Sequence, residues 1–286
     1  MYELLRKFES VEDRTALISI GRRSCEYIRQ FHQALSMDSC AFLIDHDPES
    51  RQEDTPPADT FWINHVGIIP DFAFSEMMGI VIVGAEHQNP SEMYSFKIGL
   101  QKERPALLLG IVLPPPDGEP VRINSEFLTE LDSVIWWPGD PALPEWGDLL
   151  FIAVNDWLAP LLGGGLICID FSDMVCLFCG KPQPVVVTSV CAHPEQLYGA
   201  ISAALTSLCQ QGFKLDHVTG LLAVITVSQH NGTIQIFETV CDLISQMLPD
   251  SVTMGATMPL DEKLKDCARV TLFFANPSTG LTGACT

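Results

Sequence analysis

The chain has 286 residues, of which 47% are hydrophobic and 18% charged, so it suits two domains or one large one and is too apolar to be disordered. Its 36 acidic residues outnumber 16 basic ones and leave a net charge of −20 at pH 7. A surface this acidic repels phosphate backbones and anionic lipid headgroups, which excludes a general nucleic-acid or membrane-surface binder.

The beginning of the chain shows no targeting signal. Residues 1–14 mix acidic and basic side chains and lack the apolar core of a signal peptide. The longest uncharged apolar stretches, such as Trp157–Ile169, run for about a dozen residues, whereas spanning a bilayer takes roughly 20. We therefore expect a cytoplasmic protein with no transmembrane helix and no direct insertion into a membrane.

The first half alternates apolar runs of strand length with helix-like stretches at Arg22–Leu35, Ser91–Lys102 and Ser125–Leu131. Apolar residues at consecutive positions are typical of strands that are covered on both faces. The alternation predicts a parallel α/β sheet. Its predicted strands are Ala16–Ile20, Ala41–Asp45, Ile80–Gly84, Ala106–Leu113 and Ser133–Trp137.

The second half has a different pattern. A helix-like stretch from Asp148 to about Leu162 ends in three glycines and is expected to join two domains. Beyond it, helices at Gln196–Cys209 and Ile234–Leu248 carry their apolar residues on one face, as core-packed helices do. Together with the interspersed strands they predict an α+β unit. Its strands are predicted at Pro184–Val190, Gly220–Val227, Val252–Thr257 and Arg269–Ala275.

Cysteines and histidines do not indicate a metal site. The ten cysteines lie mostly inside apolar runs, which predicts buried thiols rather than a disulfide framework. Cys176 and Cys179 have metal-ligand spacing, but no second cysteine pair or histidine pair follows, so we expect neither zinc nor redox chemistry there. The seven histidines are scattered, and the segment from Asn231 to Thr233 is expected to form a tight turn rather than a glycosylation site.

One carboxylate pair stands out in a sequence without a phosphate loop, a nucleophile elbow or a metalloprotease signature. Asp170 and Asp173 follow a glycine-rich bend and precede an apolar helix. In one interpretation Asp170 or Ser172 caps that helix, with Asp173 in its first turn. In the other, the two carboxylates carry a function.

The sequence around this pair resembles a known family. Residues 165–174, GLICIDFSDM, are similar to the synergy loop of the bacterial tubulin homologue FtsZ, whose pattern is roughly GLINLDFADV. Leu149–Leu162 corresponds to the long central helix of that family. Further segments resemble successive signatures of its C-terminal domain in order and spacing: Gly220–Thr226, Ile236–Val240, Val252–Ala256, Leu264–Asp266 and Ala268–Thr271.

The resemblance implies an α/β protein of FtsZ/tubulin architecture. It divides the chain into a Rossmann-like, parallel-sheet N-terminal domain over residues 1–147, a connecting helix over 148–165, an α+β two-layer C-terminal domain over 166–276 and a short tail over 277–286.

The first glycine-rich, GTP-binding loop of the family is altered in this sequence. It aligns with residues 21–26, which keep Gly21 but place Arg22 and Arg23 where phosphates would approach. Glycine lets backbone N–H groups close in on a phosphate without a Cβ clash, so its loss removes that cradle. The two arginines are the residues that would bind phosphate through charge instead.

The second phosphate loop and the base pocket are altered as well. The second loop aligns with residues 87–93, which hold no glycine and include Pro90, a residue without a backbone N–H. An Asn-Asp pair of the family appears as Gly139 and Asp140. We expect no cofactor; GTP or GDP with Mg²⁺ would bind only in a functional pocket, which Gly21, Arg22, Arg23 and Asp140 would form.

By resemblance, Asp170 and Asp173 would polarise the water that attacks the GTP of a neighbouring subunit. Cys168 replaces an asparagine of the family and removes a polar group from that contact. The sequence thus implies a cytoskeletal or cell-division-related protein, a pseudo-GTPase that assembles with itself or caps another FtsZ/tubulin-family filament. Two alternatives stay open, an active GTP-hydrolysing polymer with a remodelled pocket and a scaffold that does not polymerise.

Overall fold

The computed structural model describes residues 15–20, 40–44, 60–62, 78–84, 104–113, 125–137, 145–161, 165–179 and 183–276. They belong to two compact units. Of the described residues, those up to Phe151 form the first unit and those from Ile152 onward form the second. Among the described residues, no helix is long and apolar enough to cross a membrane.

The first unit contains a parallel sheet, as the sequence predicts. Its strands lie in the order β3-β2-β1-β4-β5-β6, and every pair that is hydrogen-bonded between them is parallel. All residues of β5 are buried, which explains the unbroken run of apolar side chains. The strands are β1 (Thr15–Ile20), β2 (Cys40–Ile44), β3 (Thr60–Trp62), β4 (Met78–Gly84), β5 (Leu107–Leu113) and β6 (Ser133–Trp136).

A short helix, α1 (Ser125–Leu128), precedes β6. Next to it the buried carboxylate of Asp132 accepts hydrogen bonds from the backbone N–H of Leu108 at 2.8 Å and from Arg104 Nη2 at 3.0 Å. The two other helices predicted in this half, Arg22–Leu35 and Ser91–Lys102, lie outside the described residues.

The predicted central helix is α2 (Glu145–Leu158), followed by a 3₁₀ turn at Ala159–Leu161. It begins three residues before the predicted start at Asp148. Proline at position 160 limits continuation of the α-helix, because proline lacks the N–H that the next helical hydrogen bond requires.

The second unit is a mixed sheet in the order β8-β11-β9-β10-β7. Only β9 and β10 run parallel; the other pairs are antiparallel. The strands are β7 (Gly165–Ile167), β8 (Gln183–Ala192), β9 (Gly220–Thr226), β10 (Thr253–Pro259) and β11 (Ala268–Ala275), and the helices are α3 (Phe171–Phe178), α4 (Leu197–Gln210) and α5 (Ile234–Met247).

Helices α4 and α5 cover one face of this sheet, and the predicted apolar faces of both helices are confirmed as core. Their fully buried residues share a cluster with the alternate β11 residues Val270, Leu272 and Phe274. The buried helical residues are Leu197, Ile201 and Leu205 on α4 and Val240, Leu243 and Ile244 on α5.

The other β11 side chains meet α2 and α3 on the opposite face. The Trp157 ring lies 4.4 Å from that of Phe178 and 5.0 Å from that of Phe273, measured between centroids. Such tilted and edge-on contacts are favourable for aromatic rings. Because β11 is covered on both faces, all eight of its residues are buried.

The prediction that the cysteines are buried was wrong for the described cysteines of this unit. Five of them are exposed, namely Cys168, Cys176, Cys179, Cys191 and Cys209, and Cys241 and Cys267 are half-buried. An apolar run marks a strand or helix, but not which of its side chains face the core, and these cysteines lie on outward-facing positions or at element ends.

A turn occurs at the segment predicted from Asn231 to Thr233, but it spans residues 228–232, since the N–H of Gly232 donates to the carbonyl of Ser228 at 2.9 Å. Asn231 Oδ1 accepts from the backbone N–H and the hydroxyl of Ser228, both at 3.0 Å, and Asn231 Nδ2 donates to the carbonyl of Cys267 at 3.0 Å. Thr233 caps α5 by accepting from the N–H of Ile236 at 3.4 Å. The Asn231 amide is therefore used within the protein.

Candidate functional site

The two carboxylates singled out by the sequence meet at the start of α3. Asp170 is the N-cap: its Oδ1 accepts from the backbone N–H of Asp173 at 3.0 Å. Asp173 returns the contact, because its Oδ2 accepts from the backbone N–H of Asp170 at 3.1 Å. This reciprocal capping box confirms the capping interpretation and holds both carboxylates at fixed positions on the surface.

Ser172 makes a further contact with the capping carboxylate of Asp170. Its hydroxyl donates to Asp170 Oδ1 at 2.6 Å. That bond is the main cause of the lowered pKa of Asp170. The backbone N–H groups of Asp173 and Ser172 lower the pKa further, and desolvation offsets part of the lowering. Asp170 is therefore ionised at neutral pH, and the hydrogen bonds between described residues leave its Oδ2 and the Oδ1 of Asp173 available.

The two carboxylates point outward because a different face of α3 is buried. Met174, Leu177 and Phe178 are buried at helical spacing. Ser172, Asp173 and Cys176 are exposed. The helix approaches the sheet closely at Gly220, where a Cβ would lie 3.0 Å from the carbonyl oxygen of Leu177. A side chain at this position would push α3, and the capping box with it, away from β9.

Strand β7 sets the position of the turn that leads to Asp170. A Cβ on Gly165 would lie 2.8 Å from the backbone oxygen of Met258, so only glycine fits at this close approach of β7 to β10. The hydroxyl of Thr257 donates to the carbonyl of Ile167 at 2.8 Å. The two contacts join β7 to β10 just before the carboxylate pair.

Two large apolar side chains are exposed near this turn. Leu166 on β7 is 50% exposed and Ile234 at the start of α5 is 53% exposed. Leu166 lies against the loop before α5, because a Cβ on Gly232, two residues before Ile234, would lie 2.6 Å from Leu166 Cδ1. We call Leu166, Asp170, Asp173 and Ile234 the acidic–apolar surface of the second unit.

The structure brings Asp170 and Asp173 together and leaves the other predicted site residues undescribed. Gly21, Arg22, Arg23 and Asp140 lie outside the described residues, as does the loop over residues 87–93. Cys176 is on α3 and Cys179 is its C-cap. Within the described ranges, no group of three or more His, Cys, Asp or Glu side chains is arranged to hold a metal ion.

Sequence reasoning missed the apolar part of this surface. Leu166 lies in the segment that resembles the synergy loop and Ile234 begins a predicted helix, and the sequence singled out neither as exposed. The exposure of Leu166 follows from its place on a three-residue edge strand, and that of Ile234 from its position as the first residue of α5. From the sequence, Gly232, which lies beside Leu166, could be predicted only as part of a turn.

Solved structures of FtsZ and of TubZ are among those similar to this chain. A tryptophan-to-tyrosine mutant of FtsZ from M. jannaschii has a TM-score of 0.74 at 17% sequence identity, over 96% of this chain and 95% of that chain. An empty FtsZ dimer from M. jannaschii has a TM-score of 0.72 at 17% identity, over 100% of this chain and 98% of that chain. The fold is that of FtsZ and tubulin.

TubZ from Bacillus thuringiensis serovar israelensis, crystallised as GDP-form protofilaments, gives the same result with a TM-score of 0.58 at 12% identity, over 96% of this chain and 92% of that chain. No family model and no curated protein matches the sequence. The FtsZ/tubulin fold class predicted from the sequence is confirmed, whereas activity has to be argued from the residues, because one fold hosts many functions.

Proposed function

We propose that this chain is a filament-related pseudo-GTPase of the FtsZ/tubulin type, which assembles with itself or caps a filament of another member of that superfamily. The observation that carries the proposal is the acidic–apolar surface: two ordered, exposed carboxylates beside two exposed apolar side chains, on a fold shared with proteins solved as a dimer and as protofilaments. Exposed apolar side chains next to fixed charges are typical of protein contacts.

The sequence supports assembly without GTP binding in the manner of the family. Residues 21–26 keep one glycine and residues 87–93 keep none, so backbone N–H groups lack the close approach that a triphosphate needs. Glu86 and Glu92 add like charge beside the second loop. A phosphate would have to be bound by Gly21, Arg22, Arg23 and Asp140.

A subunit that can bind a neighbour at only one of its two ends stops a filament from growing. Head-to-tail contacts between unlike surfaces generate open filaments, and a chain that offers only one of the two surfaces ends the filament where it binds. The acidic–apolar surface is the end we propose to be competent. The partner is a second copy of this chain or a subunit of another FtsZ/tubulin-family protein.

Two measurements test this function. Calorimetric titration of nucleotide-stripped protein with GTP and GDP in magnesium buffer is expected to give no binding. Sedimentation is then expected to give either nucleotide-independent oligomers of this chain or, when it is mixed with an FtsZ polymer, shorter filaments. The double variant Asp170→Asn/Asp173→Asn should neither form these oligomers nor shorten the filaments. It should keep the helix cap, because asparagine also accepts the capping hydrogen bond.

Asp250→Asn is the matched control, since Asp250 is an exposed carboxylate beyond the far end of α5 from Ile234. It should behave like the wild type. A protein that stays monomeric at every concentration and leaves FtsZ filaments unchanged would contradict the proposal and favour the scaffold alternative.

One observation favours an active GTPase as the second candidate. Asp170 is ionised, and each carboxylate of the pair keeps one oxygen outside the capping box, as a group that orients an attacking water requires. Micromolar binding of GTP, with turnover that is lost in Asp170→Asn, would establish this candidate in place of the pseudo-GTPase.

A further inference from the structure

Two cysteines of the second unit lie near each other where the end of β8 runs beside the start of β11. In the register of β8 and β11, Cys191 pairs with Arg269 and Ala192 pairs with Ala268. Cys267 stands two positions before Arg269, immediately before β11 begins. Continuing the alternation of side chains by one residue before β11 puts Cys267 on the face of Cys191, as its diagonal neighbour.

The two thiols are accessible and close to each other. Cys191 is exposed and Cys267 is half-buried. Partial burial raises the pKa of Cys191, the nearby Cys267 thiol raises it further, and the positive charge of Arg269 opposes the shift. A side-chain hydrogen bond between Cys267 and Cys191 contributes to this shift and agrees with the strand register.

Cys267 is held by the backbone and yet lies outside the regular ladder. Its N–H donates to the carbonyl of Leu264 at 2.9 Å, and its carbonyl accepts from Asn231 Nδ2 at 3.0 Å. The residue therefore ends a turn, where its Cα–Cβ direction can adjust more than it can within a strand. A disulfide requires the two Cβ atoms to approach to roughly 3.5–4.5 Å, so this turn is the part of the chain that has to adjust.

We propose that Cys191 and Cys267 are an oxidation site, at which a peroxide converts the two thiols into a reversible disulfide. The thiolate of Cys191, a minor form at neutral pH because its pKa is raised, attacks one peroxide oxygen. The S–O bond forms, the O–O bond breaks and hydroxide leaves as water after taking up a proton. The Cys267 sulfur then attacks the sulfenic sulfur, so that the S–S bond forms and the S–O bond breaks, and a second water leaves with the Cys267 proton. The two thiols lose two electrons, which the peroxide takes up.

The bond would act on the acidic–apolar surface through the loop before α5. Asn231 joins Cys267 to this loop, and Gly232 of the same loop contacts Leu166. A cross-link between Cys191 and Cys267 also closes a chain segment that contains α4, β9, α5 and β10. Closing so long a segment restricts the unfolded chain and raises the stability of the folded one.

The test uses the full chain, reduced and then treated with hydrogen peroxide. Peptide mapping by mass spectrometry without reductant should find Cys191 joined to Cys267, with a loss of two free thiols that dithiothreitol reverses. The Tm of the oxidised protein should rise by several degrees. Cys209→Ser is the matched control, because Cys209 is an exposed cysteine of α4, and it should leave the cross-link unchanged.

The variant Cys267→Ser separates the two chemical steps. Without the second thiol, the sulfenic acid of Cys191 should accumulate and be captured by dimedone. If wild-type protein yields sulfinic or sulfonic acid at Cys191 with Cys267 still reduced, or cross-links only other pairs such as Cys176 with Cys179, the proposal is overturned. Because the mapping is done on the wild type, this outcome does not depend on how the variants fold.

Discussion

The guanidinium of Arg269 donates two hydrogen bonds to the carboxylate of Asp156, from Nε at 2.9 Å and from Nη2 at 2.7 Å. The hydroxyl of Thr271 adds a third bond at 2.6 Å, and Asp156 is fully buried. Burial disfavours the charge of Arg269, but the hydrogen bonds and the charge of Asp156 outweigh this effect and raise the pKa of Arg269. The pair ties the second half of α2 to β11.

Removing one partner of this pair should destabilise the second unit strongly. Asp156→Ala leaves the Arg269 charge buried and without its bidentate partner, which costs about 3–5 kcal/mol of unfolding free energy. Urea unfolding measures the change. The double variant Asp156→Leu/Arg269→Met removes both charges and should recover most of the loss; a double variant as unstable as Asp156→Ala would contradict this account of the pair.

Ser172→Ala should raise the pKa of Asp170 towards its ordinary value, because the Ser172 hydroxyl is the main cause of the lowering. An NMR titration of the Asp170 carboxyl carbon measures it, with Ser207→Ala on α4 as the control. Since the folded-state pKa lies below the unfolded one, the stabilisation by Asp170 is complete above the ordinary carboxyl pKa of about 3.9 and is lost as the pH falls through the folded-state value. An unchanged pKa of Asp170 in Ser172→Ala would show that the backbone hydrogen bonds alone lower it.

Two glycine-to-alanine changes should have opposite effects. Gly165→Ala places a Cβ 2.8 Å from the Met258 backbone oxygen, so β7 must move away from β10 and the unfolding free energy should fall. Gly199→Ala on α4 has nothing within 4 Å of the new Cβ and should stabilise the helix by about 0.5–1 kcal/mol. Thermal unfolding of the two variants compares them; equal effects would mean that β7 is not tightly placed.

Aspartate in place of Leu166 or Ile234 should weaken the assembly or capping that we propose without lowering the Tm. Both side chains are about half exposed, so a charge there costs the folded monomer little, whereas a desolvated contact would exclude it. Sedimentation and filament length measure the effect. Tyr198→Asp is the control, since Tyr198 on α4 is 55% exposed and lies outside the acidic–apolar surface. An equal loss in the control would argue against a specific contact.

Cys241 should be the slowest described thiol to alkylate. Burial raises its pKa to about 11, and the neighbouring Asp242 charge contributes. At pH 8 its thiolate fraction is then roughly a hundredfold smaller than that of an ordinary thiol, and its rate should rise about tenfold per pH unit until the pH nears that value. Iodoacetamide labelling followed by mass spectrometry gives the rates; a Cys241 as fast as Cys209 would contradict the shift.

The longer helices of the second half were predictable because their apolar residues recur at the helical period, and the buried strands because their apolar residues form unbroken runs. The short strands β3 and β7 were not predicted, since three residues show no period. The cap at Asp170 was predictable because a carboxylate three residues before another is a local signal. The exposure of Leu166 and the contact of Cys191 with Cys267 were not, because both depend on pairing between distant strands.

The position of β11 between β8 and β9 has a consequence for the order of folding. β8 ends at Ala192 and its partner residue in β11 is Ala268, so the sheet of the second unit joins segments that are far apart in the chain. Such non-local pairing slows folding, because a long loop must close before the contacts form. A nascent chain that has not yet released β11 from the ribosome exposes the unpaired edges of β8 and β9, and the unit closes only when its last described strand inserts between them.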